Sequence, residues 1–151
     1  MSQNISGYGL SISLIASNTF PIGFIISDLV EDTDPFDLPD LTIGEAKGTP
    51  NGKVIFWATC NPITVNISVI PNSSSDIQLG ILFENNRPGE NKISNYDSIT
   101  LSAIYPNNPG TTLILSDGFI LSGTPSTGMA GTGRQKSKTY GFAFGGKTGG
   151  L

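Results

Sequence analysis

Apolar and polar positions alternate with a period of two along much of this chain. In residues 8–14, Tyr8, Leu10, Ile12 and Leu14 are separated by Gly9, Ser11 and Ser13. That pattern sends one face of a strand into a core and leaves the other outside. After turn-like residues 17–19, residues 20–27 form a second, more apolar strand interrupted by Pro21 and Gly23. Residues 41–47 read as a strand, and GTPNG at 48–52 is a turn signal. The following run, KVIFWATC, is a strand that contains the single tryptophan, Trp57, expected in the core. In ITVNISVI the residues Ile63, Val65, Ile67 and Val69 share one face, and these last two strands are expected to be neighbours in one sheet.

One helix is expected next. Residues 72–75 offer side-chain oxygens for an N-cap, Asp76 falls in the first turn where it favours the dipole, and Ile77, Ile81 and Leu82 supply an apolar stripe. Asn85, Asn86 and Pro88-Gly89 end it. Strands resume with SITLSAIY, the turn PNNPG, TTLILS, and FILSGTP after Asp117-Gly118, a dipeptide that signals a hairpin turn. The last strand, TYGFAFGG, places Tyr140, Phe142 and Phe144 on one face.

Two segments break the alternation. Residues 28–40, DLVEDTDPFDLPD, hold six of the twelve acids, two prolines and no base, and read as an extended acidic loop. Residues 124–138 are small, Gly-rich and basic without periodicity, and read as a long loop or a hairpin extension. No internal repeat is visible, so residues 1–151 are read as a single all-β domain of about eight strands and one helix.

Composition agrees. Gly (19) and Pro (10) are abundant and charged residues are only 13% of the chain, a mixture poor in helix formers and rich in turn formers. The net charge of −4 argues against binding nucleic acid by neutralising phosphates. Residues 1–84 carry two bases and nine acids, whereas residues 85–151 carry six bases and three acids, an asymmetry that packing between identical subunits could use. The first nine residues show no basic and apolar leader pattern, and no apolar run approaches the ~20 residues that span a bilayer. A cytoplasmic site of synthesis is therefore expected. There Cys60 stays a thiol, read as a small buried apolar residue, and the sequons at Asn4, Asn66 and Asn72 carry no meaning.

The absence of histidine removes Ser-His-Asp and Cys-His arrangements, the H-E-x-x-H metal site and the most common general base. Asp32, Asp34 and Asp37 are closely spaced hard ligands, but the glycine that a calcium loop needs is missing and Pro35 and Pro39 stiffen the run. No metal, cofactor or catalytic residue is expected. GFAFGGKT at 141–148 fits the phosphate-loop pattern G-x-x-x-x-G-K-S/T through Gly141, Gly146, Lys147 and Thr148. A phosphate loop opens a helix, yet only Gly149, Gly150 and Leu151 follow here, and Phe-Ala-Phe belongs to a strand. The near match GMAGTGR at 128–134 is likewise read as a product of Gly-rich composition.

The order of these features, from KVIFWATC and ITVNISVI through the helix PNSSSDIQLGILFENNR to the strands ending in TYGFAFG, resembles the tail tube proteins of contractile-tailed bacteriophages. The likeness covers residues 40–148 and rests on layout, without a short diagnostic motif. It implies a β-barrel or β-sandwich subunit with one flanking helix, assembled into hexameric rings that stack around a lumen for DNA. It also implies as partners a second copy of the chain, a sheath protein, a tape measure protein, and baseplate and tail terminator proteins. DNA would pass without specific binding, no membrane would be involved, and the location would be the virion tail, assembled in the host cytoplasm. On this reading the inter-subunit contacts fall to Asp28, Glu31, Asp32, Asp34, Asp37 and Asp40 of the acidic loop, and to Arg134, Lys136, Lys138 and Lys147. The acidic loop would reach the neighbouring ring. The alternative is a carbohydrate-binding or adhesin-type β-sandwich module using Trp57, Tyr96 and Tyr105. An enzyme is disfavoured for want of any catalytic constellation.

Overall fold

Every strand that the alternation marks as two-faced finds a partner in one antiparallel sheet. The computed structural model describes residues 10–30, 34–105, 111–129 and 131–150. β1 (Ser11–Ala16) lies between β2 (Phe20–Ile26) and a later strand, and buries Ile12, Leu14 and Ala16. β3 is the two-residue strand Phe36–Asp37, and β4 (Gly44–Gly48) and β5 (Val54–Ala58) follow it. β6 (Ile63–Val69) precedes the helix α1 (Ser74–Asn86), and β7 (Ile99–Ile104), β8 (Thr112–Ser122) and β9 (Lys138–Gly149) complete the chain. The main sheet has the order β2-β1-β7-β8-β9-β6-β3 and curls into a half-barrel. Among the described residues this is an all-β architecture with one helix, built on one curled sheet.

The core fills the inner face of the curl. Tyr140, Phe142 and Phe144 of β9 stand opposite Ile67, Val65 and Ile63 of β6, as their spacing predicts, and each ring is 1% exposed. α1 covers this face. Its N-cap is Ser73, whose Oγ accepts from the Asp76 N–H at 3.2 Å. The buried helix positions are Ser75, Asp76, Leu79, Leu82 and Asn86, whereas Ile77 and Ile81 of the expected stripe are exposed. Both sets recur at helical spacing, and the one bearing Leu79 and Leu82 meets the sheet.

Asp117-Gly118 does not reverse the chain. β8 runs straight through it, pairing with β9 on both sides, and the register against β7 shifts by one residue between Ile99 and Leu101. Asp117 takes the left-handed conformation (φ 53) at this bulge. Gly118 follows because a Cβ there would stand 2.3 Å from the Phe144 ring.

KVIFWATC and ITVNISVI are not neighbours. Among the described residues β5 pairs with β4 in a separate two-stranded sheet, while β6 lies between β9 and β3. All ten residues of β4 and β5 are exposed. Trp57 is therefore outside the core, 45% exposed, and Cys60 is exposed as well. The partner strand offers β5 little apolar cover: β4 sets Gly44, Ala46 and Gly48 against Ala58, Phe56 and Val54, and Glu45 and Lys47 against Trp57 and Ile55.

The acidic segment differs from the extended loop expected of it. Leu29 bridges Val69, the Val30 N–H donates to the Ser68 carbonyl at 3.3 Å, the Ser68 N–H donates to the Pro35 carbonyl at 2.8 Å, and β3 pairs with Ile67 and Asn66. Its described parts are thus an irregular edge strand along β6. Residues 124–138 include a short hairpin extension, with Met129 bridged to Gln135.

Candidate assembly surfaces

The sheet's outer face follows from the same alternation. Between the buried positions stand Ser11, Ser13 and Ile15 of β1, Thr100, Ser102 and Ile104 of β7, Thr64, Asn66 and Ser68 of β6, and Thr139, Gly141 and Ala143 of β9. In register, Ser13 meets Ser102 and Ser68 meets Thr139, where the two hydroxyls are 3.0 Å apart. The charges on this face are Asp37, opposite Asn66, and Asp117 at the bulge. The bases in these strands are Lys138, paired with buried Asp76, and exposed Lys147 near the end of β9. The result is a sheet surface of hydroxyls and exposed isoleucines, Ile15, Ile25, Ile104 and Ile114, with few charges.

The second surface is the β4–β5 arm. Its register sorts the residues into two faces: Glu45, Lys47, Ile55 and Trp57 on one, and Gly44, Ala46, Gly48, Val54, Phe56 and Ala58 on the other. The first face is amphipathic, with the Trp57 indole N–H donating to Glu45 Oε2 at 2.9 Å. The second is wholly apolar, and its Phe56 is 77% exposed. The apolar run was legible in the sequence. Its exposure was not, although the glycines and alanine alternating in β4 are the signal that could have revealed it.

The third is a groove of about 360 Å³ where the C-terminal end of α1 meets β8, lined by Phe83, Pro88, Tyr96, Phe119 and Leu121 with Arg87 among them. Tyr96 is 72% exposed and holds φ 50, a conformation that a bulky residue seldom adopts. Its ring lies 6.3 Å from that of Phe119. At the rim, Glu84 is drawn down to about 2, first by the bond from Arg87 and then by that from Lys92.

The residues expected to meet other subunits are spread over several roles. Glu31 and Asp32 lie outside the described residues. Asp28 serves the helix start, its Oδ2 accepting from the Ser74 hydroxyl at 3.1 Å and from the Ser75 hydroxyl at 3.3 Å. Lys138 forms an ion pair at 3.3 Å with buried Asp76. Asp34 and Asp37 border a shallow hollow with Asn66, Ser68, Ser137 and Thr139, so the acidic and basic segments adjoin within one chain. Asp40, Arg134, Lys136 and Lys147 are exposed, and the Lys147 ammonium donates to the Gly149 carbonyl at 2.9 Å. All of 141–148 is strand, paired with β8 and β6, which leaves no phosphate loop. Trp57 lies in β5, Tyr96 between α1 and β7, and Tyr105 directly after β7, where it packs against the core.

One buried carboxylate ties the groove to the sheet. Asp97 accepts from the Asn18 N–H at 2.7 Å, the Thr19 N–H at 3.0 Å, the Thr19 hydroxyl at 2.5 Å and the Asn86 amide at 2.8 Å. Burial pushes its pKa up, but these bonds outweigh burial and hold it below the ordinary aspartate value. Among the described residues no three His, Cys, Asp or Glu side chains cluster to hold a metal, and no helix is long and apolar enough to cross a membrane.

A family model described as tail fiber protein gp32 matches residues 3–148. No curated protein sequence matches the chain. Among solved structures, a chain from the cryo-EM structure of an extracellular contractile injection system, the PVC sheath/tube terminator in its extended state, is similar at TM-score 0.53 and 14% identity. That match covers 98% of this chain and 97% of the other. A chain from the six-fold symmetrised anti-feeding prophage baseplate gives TM-score 0.53, 14% identity and coverage of 98% and 96%. One from the tube-terminating cap of the same prophage gives TM-score 0.53, 11% identity and coverage of 98% and 91%. At these identities the likeness is one of fold.

Proposed function

The chain belongs to the tail fiber protein gp32 family, and we propose that this tail protein is a subunit of the inner tube of a contractile phage tail, stacked as hexameric rings around a lumen. The observation that carries the reading is the outer sheet face, rich in Ser and Thr and bearing Asp37 and Asp117, while the two bases of β9 are Lys138, paired with buried Asp76, and Lys147 near the strand's end. Protein binds DNA chiefly by neutralising phosphates with Lys and Arg. A wall of hydroxyls and apolar side chains with a slight negative charge repels the polyanion and offers it little anchor.

The open sheet supports the same reading. Among the described residues β2 has one unpaired edge and β3 covers only part of β6, strand edges that lateral neighbours in a ring would cover. The fold similarity to structures from tube ends and baseplates supports a place in such an assembly. The partners are then a second copy of the chain, a sheath, a tape measure, and baseplate and tail terminator proteins, in a virion tail assembled in the host cytoplasm. The role is structural, without a catalytic site.

Negative-stain microscopy of the purified full chain tests the reading. Rings or tubes of one fixed diameter are expected. A strictly monomeric protein at high concentration sinks it.

A further inference from the structure

The tip of the β4–β5 arm is a tight turn built on Thr49, Pro50, Asn51 and Gly52. The Gly52 N–H donates to the Thr49 carbonyl at 3.0 Å, and the Thr49 N–H donates to the Lys53 carbonyl at 2.7 Å. Proline at the second place and glycine at the fourth are residues that such a turn favours. Gly52 takes φ 82, which a side chain would resist. The Thr49 hydroxyl adds a clamp: it accepts from the Lys53 N–H and donates to the Lys53 carbonyl, both at 3.1 Å. Asn51 and Gly52 are exposed, and nothing lies within 4 Å of where a Gly52 Cβ would stand. Asn51 is also the one asparagine in the sequence that glycine follows.

Asparagine is a chemically labile residue, and what its side-chain amide meets first is the backbone nitrogen of the next residue. A following side chain shields that nitrogen. Exposed Asn72 precedes Ser73, and its amide donates to Gln135 Oε1 at 3.1 Å. Asn61 precedes Pro62, which has no N–H. At Asn51 neither protection exists. We propose that Asn51 is a site of spontaneous deamidation and that the Thr49 clamp sets its rate. The Gly52 nitrogen gives its proton to water and bonds to Asn51 Cγ. The bond from Cγ to the side-chain nitrogen breaks, and that nitrogen takes up a proton and leaves as ammonia. Water then opens the cyclic imide at either carbonyl, giving aspartate or isoaspartate. Water is the only co-reactant, and nothing is oxidised or reduced. The Gly52 nitrogen can attack only when its bond to the Thr49 carbonyl opens, and the hydroxyl clamp opposes that opening. The product places a carboxylate beside Lys53 at the arm's tip. Isoaspartate also lengthens the backbone of the turn by one carbon, which moves Lys53 out of register with Thr49. Stored protein therefore carries a different arm tip from newly made protein, whether or not the chain forms a tube.

Peptide mapping by mass spectrometry tests this on the purified full chain, held in mildly alkaline buffer and sampled over time. Aspartate and isoaspartate are expected to accumulate several-fold faster at position 51 than at position 72. Asn51→Gln is expected to stay unconverted at that position over the same period. Thr49→Val is expected to convert several-fold faster than the parent. Both substitutions lie off the core, so their melting temperatures should match the parent's and the rates then compare the turn alone. Equal rates at positions 51 and 72, or an intact Asn51 once Asn72 has begun to convert, overturn the site. An unchanged or slower rate in Thr49→Val overturns the role of the clamp.

Discussion

The hydroxyl of Tyr140 donates to Asp76 Oδ1 at 2.9 Å, joining the central strand β9 to the first turn of α1. Asp76 is 3% exposed, and its Oδ2 takes the Asn72 N–H at 2.8 Å and the Lys138 ion pair at 3.3 Å. A carboxylate can stay charged at this depth only when its oxygens are satisfied in this way. Replacing Tyr140 with Phe leaves the packing and removes one donor. We expect a loss of about 1–3 kcal/mol in urea unfolding. An unchanged midpoint would show that the bond contributes nothing.

The same pair sets an alkaline limit. Burial first, and then the bond to Asp76 and its charge, hold the Tyr140 phenol well above the usual tyrosine value of 10.0. The unfolded chain ionises first. This contribution is therefore fully present below that value and is lost as pH rises through the folded one. Tyr140→Phe should show a shallower decline of stability on the alkaline side than the parent, and parallel curves would contradict the assignment.

Asp97 sets the acid limit, with the opposite sign. Its folded value lies below the ordinary 3.8, so its contribution is present above 3.8 and is lost as pH falls through the lower folded value. Asp97→Asn cannot accept all four bonds from Asn18, Thr19 and Asn86. It should cost about 1–3 kcal/mol near neutrality and flatten the acid limb of the stability profile. Thermal melts across that range decide it.

Gly118→Ala would force a methyl group against Phe144 from 2.3 Å and against the Ile99 carbonyl from 2.9 Å. Overpacking of this kind costs about 1–3 kcal/mol. Trimming the ring should recover part of the loss, so Gly118→Ala with Phe144→Leu should melt above the temperature that the two single losses add up to. Strict additivity in a double-mutant cycle would rule out a direct clash.

Residues that depend only on their own strand were legible in the sequence. Tyr140, Phe142 and Phe144 alternate and are buried together, and Ser73 to Asp76 starts a helix as expected. What failed depended on partners far along the chain. Asp-Gly supports a turn or a bulge with the same backbone preferences, and continuous pairing with β9 selects the bulge. Ile77 and Ile81 are four residues apart and the buried Leu79 and Leu82 three, both spacings of a helix face, so only the sheet could fix the phase. Trp57 looks like core until its partner proves to be a strand of glycine, alanine and two charged residues. Of the candidate contact residues, Asp28 and Lys138 carry charges engaged across 46 and 62 residues of chain, by Ser74 and Asp76 respectively, a proximity that local pattern does not encode.

GFAFGGKT should bind no nucleotide, because its N–H groups sit in strand pairings and its lysine already bonds to Gly149. Calorimetric titration with MgATP is expected to give no binding heat, in the parent and in Lys147→Ala alike. Saturable binding lost in the variant would reverse this.

The pairing of β9 along both of its edges, by β8 and by β6, has a mechanical consequence. Tension along that strand loads two ladders in shear, so many backbone bonds must give way at once. The arm has one ladder of five residue pairs, and a pull at its tip would unzip it bond by bond. Under load the body holds its shape while the arm yields first, which makes the arm the compliant joint of the molecule.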